Sequence, residues 1–113
     1  MLLVYTAEAH ASDEWPVGPH IHQPQPKSTA GRCAVATRRL AQLGLESLPA
    51  LVETSSEAFH RAYASWPLRW YFMRDRRIEH IAQPHDGGGY APEEIVTWLC
   101  ARRYDALQPA VLT

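Results

Sequence analysis

Lysine, cysteine and long apolar runs are all scarce in this chain of 113 residues, and each scarcity removes a class of protein. Lys27 is the one lysine, so basic charge rests almost wholly on arginine, a skew that reads as coding bias rather than as an anion site. The formal net charge is -1, which gives no electrostatic case for binding nucleic acid or an anionic membrane surface. The longest apolar run is far too short to span a bilayer, and no signal-peptide pattern precedes it. Cytoplasm is therefore the expected location, with no membrane partner. Cys33 and Cys100 lie far apart and in no C-x-x-C arrangement, so a disulfide framework is not expected. Both fall at apolar positions of predicted helices and read as small core residues rather than as activated thiols. No phosphate loop is present either. Gly87-Gly88-Gly89 lacks a following lysine, does not come after the first strand, and reads as a flexible connection.

What is present is the composition of one globular domain, 46% hydrophobic and 20% charged. Residues 1 to 5 read as a buried strand. Residues 6 to 27 form a long loop rich in histidine and proline, a length that leans towards function. A helix follows from Ser28, an N-cap, to Leu43, with Cys33, Ala36, Leu40 and Leu43 as its apolar stripe and Gly44 as its stop. Residues 49 to 53 read as a short buried strand, and Ser55 or Ser56 can cap a helix carrying Phe59 and Tyr63. Two strands, 69 to 73 and 78 to 81, flank Arg74-Asp75-Arg76-Arg77 as a hairpin. Pro92 opens a last helix with Ile95, Trp98 and Leu99 on one face, and residues 104 to 113 read as a loose tail. Strand, loop, helix, strand, helix, hairpin, helix is an α/β pattern.

The first strand ends in Glu8, His10 and Trp15, which suit a polar site better than a core. Such sites lie at the carboxyl ends of strands in α/β folds. Glu8 and His10 are two apart and point the same way if the strand reaches them. A carboxylate beside an imidazole raises its basicity and fixes its tautomer, which suits proton delivery; the alternative is a solvated strand end. His10, His20 and His22 with Glu8 can also be assembled as a zinc site, though without a recognised ligand spacing. His60, His80 and His85 read as ordinary surface or half-buried residues. Arg69 opens a strand of aromatics, so its guanidinium either faces a cleft, where it can grip a carboxylate, or sits on the surface.

Val4-Tyr5 with Glu8 to Trp15 resembles the signature segment of the iodothyronine deiodinase family, a branch of the thioredoxin-fold oxidoreductases. The resemblance continues in Arg32-Cys33-Ala34-Val35-Ala36, in Ala62 to Tyr71, and in Ile78 and Tyr90 to Leu99, and covers residues 1 to 103. It implies a thioredoxin-like fold and reductive dehalogenation with a thiol reductant as co-substrate and no other cofactor. The substrate would be a halogenated phenolic small molecule. Glu8 and His10 would form the proton relay and Trp15 would line the cleft. His20 or His22 would bind the phenol, and Arg69 would meet the charged end of the substrate. Pro67 would follow a cis bond.

In the family, the redox selenocysteine or cysteine lies upstream of this segment, so the resemblance implies an N-terminally truncated domain without its nucleophile. Such a fragment would be inactive, and its open sheet edges would favour self-association, a homodimer being one outcome. The loop between Trp15 and Arg32 departs from the family spacing, and the glycine-rich closing loop, Gln83 to Gly89, lacks the family's Gly-Pro-Phe-like stretch. Two other readings stand beside the first: a thioredoxin-fold protein that binds small molecules without catalysis, and the zinc domain.

Overall fold

The computed structural model describes residues 1–85 and 89–107, and these group into two compact units, Met1–Leu68 and Arg69–Thr113. Gly87 and Gly88 of the expected glycine connection, and residues 108–113 of the expected tail, lie outside the described residues. The architecture is mixed α/β. No helix among the described residues is long and apolar enough to cross a membrane.

In the first unit, β1 (Leu3–Tyr5) and β2 (Ala50–Val52) form a parallel pair in the register Leu3 with Ala50, Val4 with Leu51 and Tyr5 with Val52. Helix α1 (Thr29–Gln42) lies between them in sequence and packs on β2. Its ends follow from local chemistry. Ser28 Oγ accepts the Gly31 N–H at 3.1 Å, as an N-cap should. Gly44 takes φ +66°, which lets Leu45 N–H reach the Leu40 carbonyl and Gly44 N–H the Ala41 carbonyl, a Schellman ending.

The buried face of α1 is not the expected one. Arg32, Val35 and Ala36 are buried, while Cys33 is exposed and Leu43, the C-cap, is exposed. The stripe is turned towards Arg32 because its guanidinium enters the interior and donates to the carbonyls of Glu53 (3.2 Å) and Thr54 (3.0 Å). Strands expected to be buried are only partly so: β1 is half-buried and Leu51 of β2 is exposed. Each described sheet has two strands, and one helix packed on a two-stranded ribbon cannot cover both of its faces.

Short helix α2 (Ala58–Tyr63) is not capped by Ser55 or Ser56. Ser56 Oγ hydrogen-bonds Thr54 Oγ1 at 2.7 Å, and the N-cap is Glu57 at φ +55°, whose side chain makes no capping bond. The carboxylate of Glu53 reaches over instead and accepts the His60 N–H at 2.6 Å. Phe59 and Tyr63 stack at 4.7 Å on the next turn. The Trp66–Pro67 bond is cis, as the family resemblance implied.

In the second unit, β3 (Tyr71–Arg74) and β4 (Arg77–Ile81) make the antiparallel hairpin, joined by Asp75 and Arg76, both at positive φ. Met73 pairs with Ile78 and Phe72 with His80, an irregularity that leaves Glu79 out of the pairing and places it between Arg74 and Arg102 at 3.3 and 3.4 Å. Helix α3 (Pro92–Leu107) continues past Arg103, where the tail was expected to start. Trp98 lies 4.2 Å from the Phe72 ring, and Glu94 bonds His80 Nε2 at 2.8 Å. Leu99 and Cys100, expected to face the core, are exposed.

Candidate functional site

A cleft of about 370 Å³ opens beyond the carboxyl ends of β1 and β2, where a parallel strand pair leaves room for chemistry. Glu8, Trp15, Glu53, Glu57, His60 and Trp66 are among the residues that line it. All of them belong to the first unit.

The strand does not run on to Glu8; it stops at Tyr5, and that changes what Glu8 meets. The Glu8 carboxylate accepts the Tyr5 hydroxyl, and His10 is not its partner. Burial, reinforced by the Glu8 carboxylate, raises the Tyr5 phenol well above its ordinary value. His10 instead packs against Trp15, with ring centroids 4.8 Å apart, and its buried Nδ1 has no hydrogen-bond partner among the described residues. Tyr5 is thus a site residue that spacing did not reveal. The signal was there in a tyrosine three residues before a glutamate, but its place in an apolar strand hid it.

The loop over the cleft is held by Gln25, which no sequence signal marks. Its carboxamide bonds Glu8 twice, accepting the backbone N–H at 2.9 Å and donating to the carbonyl at 3.0 Å. The same nitrogen reaches Glu14 at 3.1 Å, and Asp13 accepts the Gln25 N–H at 2.8 Å. A glutamine among prolines carries no pattern that points to such a clamp.

His60, ordinary in sequence, lines the cleft, and its Nδ1 accepts the backbone N–H of Trp66 at 3.2 Å. Trp66 brings its indole within 6.2 Å of Trp15. His20 and His22 are exposed on the loop and do not line the cleft. Among the described residues no three histidine, cysteine or acidic side chains gather as a metal site, so the zinc arrangement of His10, His20 and His22 does not form. Arg69 belongs to the second unit, half-buried in the loop ahead of β3 rather than at the start of the strand. Its Nε is buried without a hydrogen-bond partner among the described residues.

The chain is mixed α/β, with an acidic cleft walled by indoles beyond the ends of a parallel strand pair. Comparison makes the assignment specific. The chain belongs to the iodothyronine deiodinase family, whose profile matches residues 1–103. It is 32% identical over 98 residues to a type I iodothyronine deiodinase of Xenopus laevis, covering 87% of this chain and 38% of that protein. It is 33% identical over 105 residues to a thyroxine 5-deiodinase of Sparus aurata, covering 87% and 36% respectively. The human thyroxine 5-deiodinase is 32% identical over 110 residues, covering 92% of this chain and 33% of that protein. The chain therefore spans about a third of the length of the relatives it matches.

Proposed function

We propose that this chain carries the proton-relay and substrate side of a deiodinase-like oxidoreductase with a thioredoxin-like fold. In the reaction, an aryl–halogen bond is replaced by an aryl–hydrogen bond. Halide and a proton leave, and two thiols are oxidised to a disulfide. The observation that carries this reading is the Tyr5–Glu8 hydrogen bond at the end of β1, on the edge of the aromatic cleft. A phenol donating into a carboxylate is a chain along which a proton can move. His10, packed at a tilt against Trp15 with Nδ1 unpartnered among the described residues, is the group that the family resemblance assigns to hand the proton on. Trp15 packs against the substrate ring. The element order supports the fold: a parallel β-α-β unit, then a short helix, an antiparallel hairpin and a last helix.

The attacking selenol or thiol is assigned to neither Cys33 nor Cys100. Both are exposed on helices, and neither lines the cleft. The nucleophile belongs to a part of the enzyme outside these residues, and the reductant is a small or protein thiol from the cytoplasm. The same observation favours a second reading, a cleft that binds phenols without turning them over.

One experiment tests the cleft and the placement of the nucleophile. The chain is titrated with a halogenated phenol while tryptophan fluorescence is followed, and halide release is then measured with dithiothreitol present. The expected result is saturable quenching with no halide. Halide release by this chain would overturn the placement of the nucleophile. A chain that fails to bind would overturn the cleft as substrate site.

A further inference from the structure

Glu57, His60 and Trp66 reach the cleft from a segment held more loosely than the wall they face. Helix α2 is six residues long and buries none of them. A helix of fewer than about 12 residues is marginal on its own in water, so α2 depends on its attachments. Both of its ends are strained. Glu57 and Ala64 take φ +55° and +47°, left-handed conformations that crowd a Cβ against the backbone. Glu57 makes no capping bond, and its pairing with Arg32, at 3.9 Å, is too long for a hydrogen bond. The Glu53 carboxylate hooks the helix by accepting the His60 N–H.

The facing wall is pinned. Trp15 stands on the loop that Gln25 ties to Glu8, donates its backbone N–H to the Ala11 carbonyl at 3.0 Å, and packs its ring on His10. Trp66 goes with α2 instead, because its backbone N–H donates to the His60 ring. The centroids of the two indoles are 6.2 Å apart. A ring stacked between two others needs two contacts of ~3.5 Å, or roughly 7 Å in all. A centroid distance is an upper limit on the gap between two ring planes, so no aromatic ring fits between Trp15 and Trp66 as they stand.

We infer that α2 and Trp66 form a gate on the cleft. The segment from Glu57 to Trp66 unwinds, a flat aromatic ring such as a phenol enters between the two indoles, and the helix re-forms around it. Release of the strained φ at Glu57 and Ala64 favours the open form. The Glu53 hook and the contact between the indoles favour the closed one. The gate is therefore a local opening that leaves α1 and its strands folded. This deepens the substrate reading above and rests on it.

The test is amide hydrogen exchange of the whole chain, followed by nuclear magnetic resonance with and without 4-methylphenol. Binding is read separately from tryptophan fluorescence. Arg61 and Ala64, whose N–H groups donate to the Glu57 and His60 carbonyls, report on α2, and the buried Val35 and Ala36 report on α1. In the free chain the α2 amides should exchange about a hundredfold faster than those of α1. Saturating 4-methylphenol should slow them about tenfold, since the closed gate holds the ring. Ala64→Gly should slow them about fivefold without ligand, because glycine takes this φ without strain. Exchange of α2 as slow as that of α1 in the free chain would overturn the gate and leave the phenol cleft standing. So would α2 amides unmoved by a ligand that binds, or unmoved by Ala64→Gly. A chain that does not bind 4-methylphenol would overturn both.

Discussion

The carboxamide of Gln25 hydrogen-bonds both the N–H and the C=O of Glu8, so a residue near the end of a long loop pairs with the backbone just past β1 as a neighbouring strand would. With Ser12 N–H on the Gln23 carbonyl at 2.8 Å, this ties the return of the loop to its outward leg. The polar end of the cleft owes its shape to that tie, because Glu8, Glu14 and Trp15 all lie on the loop it closes.

Gln25→Ala removes these bonds and is expected to lower stability by about 1–2 kcal/mol. Phenol binding should weaken as well, since Glu8 and Trp15 lose their common anchor. Urea denaturation together with ligand titration checks both effects. A variant with unchanged stability would show that the loop is held by other contacts.

Arg32 and Glu53 are a buried pair, so removing one partner is worse than removing both. Arg32→Met should cost about 3–5 kcal/mol, because it strands the Glu53 carboxylate and frees two carbonyls. The double variant Arg32→Met, Glu53→Gln should recover a large part of that loss, since the carboxamide oxygen can still accept the His60 N–H. Equilibrium unfolding of the wild type, Arg32→Met, Glu53→Gln and the double variant measures the coupling.

The Tyr5 phenol is raised above its ordinary value, first by burial and then by Glu8. Its neutral form is therefore favoured in the folded state. The stability it contributes is fully present below the unfolded phenol's value, near 10, and is lost as pH rises from there towards the folded value. Near-ultraviolet absorbance should show one tyrosine ionising late, together with alkaline unfolding. Tyr5→Phe should abolish that late component. A Tyr5 that ionises with the exposed tyrosines would contradict the Glu8 contact.

Replacing Cys33 and Cys100 together by serine should leave stability within about 0.5 kcal/mol and phenol binding unchanged, since both thiols are exposed and neither is among the residues that line the cleft. Calorimetry on the double variant tests this. A loss of binding would return a cysteine to the site.

Much of the local structure was legible because it depends on near neighbours. Ser28 and Gly44 bound α1 through contacts three to five residues away, and Pro92 opens α3 in the same way. The hairpin around Asp75 and Arg76 was also readable, although two non-glycine residues at positive φ were not. The face of α1 was not, because an apolar stripe takes no account of a buried arginine. Only the distant carbonyls of Glu53 and Thr54 make it favourable for Arg32 to turn inward and Cys33 outward.

For the site, the segment from Glu8 to Trp15 and its family could be read from residue types alone, and the family match over residues 1–103 agrees. Which side chains meet there was decided by tertiary structure. Glu8 faces Tyr5 rather than His10 because the strand ends at Tyr5, and Gln25, Glu53, His60 and Trp66 arrive from four separate places in the chain. Short-range pattern determines where a helix is capped and where a turn falls. A cleft is assembled by pairings distant in sequence, which no local spacing encodes.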